Sequence, residues 1–225
     1  MKKALLIFMI FLFPLGFLLF FGLALDHKFN TLPYYHPSEL LVLDSTSNEL
    51  GKTYYIPDFK FTNHDGREIN NQTLDDDIYL MAPYSLENEI YLPVITKRLL
   101  TANFKYRDET NIKIVGLNSD GIVRSKTELK EYMDGISKNS DETNNYFYLS
   151  ADSEQEMKSF ISEGLGIKNI DNSSLAVLID TEGQIRGRYN LNAEKMVNDA
   201  IEDMALLRKE IDIANYEAEK SHSNP

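Results

Sequence analysis

Cysteine is absent from all 225 residues. The chain therefore forms no disulfide, binds no iron–sulfur cluster, offers no thiolate to zinc and has no peroxidatic thiol. It also lacks a cysteine for lipid attachment. Histidine is scarce, with four copies at His27, His36, His64 and His222, none in a stretch that reads as core. Bases are outnumbered, 23 against 35 acids, for a net charge of −12. That balance argues against a nucleic-acid partner and against a basic membrane-surface patch. A solvated acidic surface is sufficient to explain it.

An apolar run is present at the start. After Met1-Lys2-Lys3, residues Ala4 to Leu25 carry no charge until Asp26. A run of that length crosses a bilayer as one helix, and Pro14 and Gly16 are tolerated in such helices. The two lysines hold the N-terminus in the cytoplasm and place the remainder on the extracytoplasmic side. The competing reading is a cleaved signal peptide with a small-x-small site at Gly22-Leu23-Ala24, but the run exceeds a usual signal core. The expected organisation is an anchor over 1–25, a tether over 26–52, a domain over 53–212 and a polar tail over 213–225, frayed from about Glu217. Within the tether, Leu32-Pro33-Tyr34-Tyr35 is an aromatic patch suited either to packing on the domain or to the membrane interface.

The outer region alternates strand and helix signals. Phe59 and Phe61 alternate in an extended stretch, Asn63 to Gly66 reads as a turn and Arg67 to Ile69 as the returning strand. Asp75 to Asp77, a charged loop, precedes the apolar run Ile78 to Ala82, which suits a buried strand. Pro93 fits the first turn of a helix. Ile112 to Leu117 is a further strand. Ser125 with Glu128 and Ser153 with Glu156 have capping-box spacing, and the second helix is expected to end near Gly164 or Gly166. Leu175 to Asp180, a turn at Thr181-Glu182-Gly183 and a return through Tyr189 make a hairpin. Asn192 is expected to cap a long helix with Met196, Val197, Ala200, Ile201, Met204, Leu207 and Ile211 on one face. Those methionines suit a core better than a copper box. The pattern predicts a layered α/β domain, a thioredoxin-like central sheet flanked by helices.

Four stretches resemble the Sco/SenC family, membrane-anchored thioredoxin-fold proteins of copper delivery and cytochrome oxidase assembly. Ile56-Pro57-Asp58-Phe59-x-Phe61-Thr62-Asn63-x-Asp65-Gly66 resembles its opening hairpin. Ile78-Tyr79-Leu80 resembles the strand before its metal motif. Tyr146 to Ser150, leading into the Ser153 helix, resembles its third strand–helix unit. Val177-Leu178-Ile179-Asp180-x-Glu182-Gly183-x-Ile185-Arg186-Gly187-x-Tyr189 resembles its closing hairpin. The likeness spans roughly residues 54–210 and implies the family's fold.

The resemblance also implies a Cys-x-x-x-Cys motif and a distant histidine as copper ligands. Ungapped counting places those positions on Asn88, Leu92 and Asn172, with Pro93 keeping the proline that follows the motif. Two amides and an alkyl group do not suit Cu(I), which prefers thiolate, thioether or imidazole. The expected role is a non-catalytic accessory or scaffold factor in respiratory oxidase or copper-enzyme biogenesis, with no cofactor. Its partners would be the membrane and a protein, either an oxidase subunit or an active paralogue. Tyr84, Leu86, Ile90 and Tyr91 form the candidate partner surface, unless they simply fill the vacated site. The alternatives are an oxygen-ligand metal site from Glu87, Glu89, Asn118 and Asp120, or copper delivery through a rebuilt site. No histidine is placed to serve as a catalytic base.

Overall fold

The computed structural model describes residues 31–37, 54–63, 65–120, 131, 135, 145–170 and 174–223. The apolar runs become strands: β1 (Lys60–Asn63), β2 (Glu68–Asn70), β3 (Ile78–Tyr84), β4 (Ile112–Asn118), β5 (Tyr146–Ser150), β6 (Leu175–Ile179) and β7 (Ile185–Asn190). They form one sheet in the order β2-β1-β5-β4-β3-β6-β7. β3, β4 and β5 run parallel, while β1, β2, β6 and β7 join through antiparallel pairings. β4 is the middle strand, and all seven residues of its neighbour β3 are buried, as a strand covered on both faces requires.

The two-residue period divides the core. Ile78, Leu80, Tyr84, Ile112, Ile114, Tyr146, Tyr148 and Leu178 face helices α1 (Leu92–Lys105) and α3 (Glu194–Ser223). Tyr79, Met81, Val115, Leu117, Leu149, Val177 and Ile179 face the other way. There they pack on Phe59, Phe61 and the residues of α2 (Glu154–Ser159) and the π-turn Phe160–Gly164. Ser153 caps α2 by accepting the N–H of Glu156 at 3.1 Å, and Gly166 follows with φ +70°. The predicted stripe on α3 is in place: Val197, Ala200, Met204 and Leu207 are buried, and Met196, Ile201 and Ile211 pack beside them.

Three boundaries differ from the sequence expectation. The domain begins at Leu32 rather than residue 53. Leu32 is buried, its N–H donates to Glu210 Oε1 at 2.6 Å, and Tyr35 N–H donates to Ile185 O at 2.9 Å. The tail continues α3 to Ser223, and the residues from Glu217 on are helical instead of frayed. Residues 213–223 contain no glycine or proline, and Ala214, Glu217, Ala218, Glu219 and Lys220 favour a helix, so propensity carries it past the last core contact. Asn192 is not in the cap position, because α3 starts at Glu194. The side chain that organises the preceding turn is Asn190, whose Oδ1 accepts the Asn192 N–H at 3.0 Å.

The anchor over residues 1–25, the tether residues His27 and 38–52, His64, the Ser125–Glu128 box and Asn172 lie outside the described residues. Glu131 and Gly135, within the expected helix after that box, are helical. Among the described residues, no helix is long and apolar enough to cross a membrane.

Candidate functional site

Parallel strands end together at the C-terminal edge of β3 and β4, the place where open α/β sheets bind ligands. The loop Ser85–Tyr91 leaves β3 there and turns into α1. Its course is fixed from β4. Ser119 donates its backbone N–H to Tyr84 O at 3.0 Å and its hydroxyl to the same oxygen at 3.1 Å. The Asp120 carboxylate accepts the N–H of Leu86, and that of Glu87 at 3.3 Å. Asn118 Oδ1 accepts the Asp120 N–H at 3.1 Å.

Asn88 holds the turn that leads into α1. Its Oδ1 accepts the Tyr91 N–H at 3.1 Å, and its carbonyl accepts the Leu92 N–H at 3.0 Å. Leu92 is 9% exposed and belongs to the core beneath α1, with Pro93 in the first turn of the helix. One position is thus occupied by a backbone-binding amide and the other by a core hydrocarbon. These two residues do not fit Cu(I): Leu92 has no donor atom, and an amide oxygen is a hard ligand already engaged.

The predicted contact surface separates into buried and exposed residues. Tyr84 is 3% exposed, and its ring meets Tyr148 edge-on at 4.6 Å. Leu86 and Tyr91 are partly buried against the same core. Ile90 remains outward at 78% exposure, beside exposed Val94. The correction has a physical cause in Gly116 on β4, which leaves room for both rings: a Cβ there would lie 2.9 Å from Tyr148 Cδ1 and 3.2 Å from Tyr84 Cδ1. Tyr146 donates its hydroxyl to Tyr148 Oη at 2.8 Å, and Thr96 Oγ1 shares a hydrogen with Tyr148 Oη at 3.3 Å. The space under the loop is filled by a hydrogen-bonded aromatic cluster.

The acidic alternative also meets prior commitments. Asp120 binds backbone amides, and Asn118 Nδ2 donates to Ser150 Oγ at 3.4 Å, while Glu87 and Glu89 are exposed. Among the described residues, no three His, Cys, Asp or Glu side chains gather into a metal-holding group. The Asp75–Asp77 loop is held by Lys113, 3.9 Å from Asp77. Burial raises the Asp77 carboxyl above its ordinary range, Lys113 opposes that shift and Asp76 adds to it. His36 packs its ring edge-on against Tyr54 at 4.9 Å.

Sequence reasoning missed the ion network at the far edge. Arg186 binds Asp180 Oδ2 at 3.1 Å, Glu210 Oε2 at 2.7 Å and Leu32 O at 2.8 Å, with its guanidinium 4.1 Å from the centre of the Tyr34 ring. The available signal was Arg-x-Arg on a strand paired with the apolar β6.

A thioredoxin-like sheet carrying this loop at its parallel edge defines the class of fold. Within that class, the fold is the Sco type. The chain superposes on a SCO1/SenC family lipoprotein from Bacillus anthracis with a TM-score of 0.59 and 20% identity, over 69% of this chain and 96% of that one. It superposes on BsSco, of the Sco family of cytochrome c oxidase assembly proteins, at 0.58 and 18% over 68% and 92%. Yeast Sco1 with copper bound aligns at 0.52 and 20%, over 68% and 93%. No family model matches the sequence, and a search of curated proteins finds no match.

Proposed function

We propose that this chain is a membrane-anchored, non-catalytic Sco-like protein that assists the biogenesis of a respiratory oxidase or another copper enzyme through protein contact, without carrying copper itself. The observation that supports the reading is that Asn88 is a turn-forming amide and Leu92 a core side chain in a Sco-type fold, at the two positions where ungapped counting sets the family's cysteines. Residues 4–25 serve as the anchor and place the domain on the extracytoplasmic side. The contact patch is narrower than the sequence implied and centres on Ile90 and Val94.

Two experiments test this. The first titrates the full chain in detergent with Cu(I) and Cu(II) against a competing chelator. Binding no tighter than about micromolar (about −8 kcal/mol) is expected; tight stoichiometric binding would return copper delivery as the function. The second captures partners from membranes with the wild type and with Ile90→Asp. The wild type is expected to retain an oxidase subunit or a Sco paralogue that Ile90→Asp loses, and equal retention by both would remove the patch from the proposal.

A further inference from the structure

Arg188 lies on β7 opposite Val177 of β6, on the face away from α3. Its Nε, Nη1 and Nη2 are each buried, and no hydrogen-bond acceptor reaches any of them among the described residues. Arginine is charged at any pH a folded protein meets. A buried guanidinium with no acceptor loses its hydration without compensation, so such groups are normally paired. The contrast with Arg186 is internal to the same strand: two carboxylates and a carbonyl surround that group. The imbalance is sharper in a chain with twelve more acids than bases, where a carboxylate partner is easily supplied.

The walls around Arg188 are aromatic. The phenols of Tyr35 and Tyr54 lie close enough to act on its charge: burial draws the guanidinium pKa down, and both phenols oppose the shift. Tyr54 is fixed by donating its hydroxyl to Gly164 O at 2.9 Å and by the His36 ring. Tyr35 is pinned to the β7 edge through Ile185 O. Gly166 meets this segment so closely that a Cβ would strike Pro37 O at 2.1 Å. The result is a cationic fork framed by two rings; the carboxylate that acts on Tyr35, Asp203, accepts the Tyr189 hydroxyl at 2.8 Å and does not bond the guanidinium.

We propose that Arg188, framed by Tyr35 and Tyr54, is a receptor for a small oxyanion, a carboxylate or phosphate group gripped by the planar guanidinium fork. Two parallel N–H bonds suit such an anion, and the Tyr35 hydroxyl supplies a further donor. The site lies on β7, at the sheet edge opposite to β1 and β2, and it does not depend on the role proposed for the Ile90 patch.

The test is thermal unfolding of the full chain in detergent, titrated with sodium phosphate and separately with sodium acetate, with ionic strength held by sodium chloride. A saturable rise in Tm is expected for the wild type. Arg188→Met is expected to lose it, and Arg188→Lys, which keeps the charge but not the fork, to weaken apparent affinity about tenfold or more. Near-ultraviolet circular dichroism of the tyrosines checks that each variant is folded. Saturation by phosphate alone or by acetate alone supports the site and names the anion class. A rise that does not saturate, or one equal in wild type and Arg188→Met, is a general salt effect and overturns the proposal, as does no rise with either anion.

Discussion

Arg186 and Arg188 stand two residues apart on β7, yet carboxylates gather only around the first. Removing Arg186 leaves Asp180, 4% exposed, without its cation. Arg186→Met is therefore expected to lower the urea-unfolding free energy by about 3 kcal/mol, whereas Arg188→Met in anion-free buffer should be near neutral. Asp77 gives a pH signature. Its folded-state pKa is raised, so the folded state holds the proton more tightly than the unfolded one. The resulting stability is fully present below the ordinary carboxylate value of 3.8 and is lost as pH rises through the folded-state value. The stability of Asp77→Asn minus that of the wild type should rise with pH from about 4 upward in urea titrations; parallel curves would show that this carboxyl does not titrate as described. Little of this was legible in the sequence, because an arginine or aspartate beside a turn reads as solvated. Its burial depends on residues such as Leu32 and Glu210, far away in the chain.

Elements were far more legible than their neighbours' side chains. The runs at Ile78, Ile112, Tyr146 and Leu175 became strands because their period and length leave no other way to bury them. The α3 stripe was readable for the same reason. Tyr84 was not: an aromatic beside a loop reads as surface unless the opposing strand is known to offer Gly116. The close approach gives a further prediction. Gly116→Ala places a methyl carbon 2.9 Å from Tyr148 Cδ1 and 3.0 Å from Cε1, in the middle of the sheet. It is expected to destabilise the domain by about 1–3 kcal/mol and to change the near-ultraviolet signal of the clustered tyrosines. The end of α3 was misjudged because polarity was taken for fraying. A helix past the core can be polar on every side and still persist while no residue stops it.

For the whole molecule, residues 32–37, well before the first strand, belong to the fold. Leu32 inserts into the core under α3, and its backbone is held on both sides by Glu210 and Arg186. A chain starting at Tyr54 should therefore unfold at lower urea than one starting at Asp26, by about 3 kcal/mol for the lost leucine burial and hydrogen bonds. Equal midpoints would show that residues 32–37 rest on the domain without supporting it. This junction was half legible: the Leu32-Pro33-Tyr34-Tyr35 patch asked for a surface, but only the fold supplied one.

The Asn88–Leu92 pair also resists replacement by cysteine. Reaching a two-thiol motif from here takes two substitutions, and each alone is a loss. Asn88→Cys removes the acceptor that shapes the turn into α1, and Leu92→Cys shrinks a buried side chain and leaves a gap in the core. Each change thus removes a structural contact before a second thiol is present. A thiol introduced at either position therefore has to displace a structural role, and a chain carrying both is expected to be less stable than the wild type.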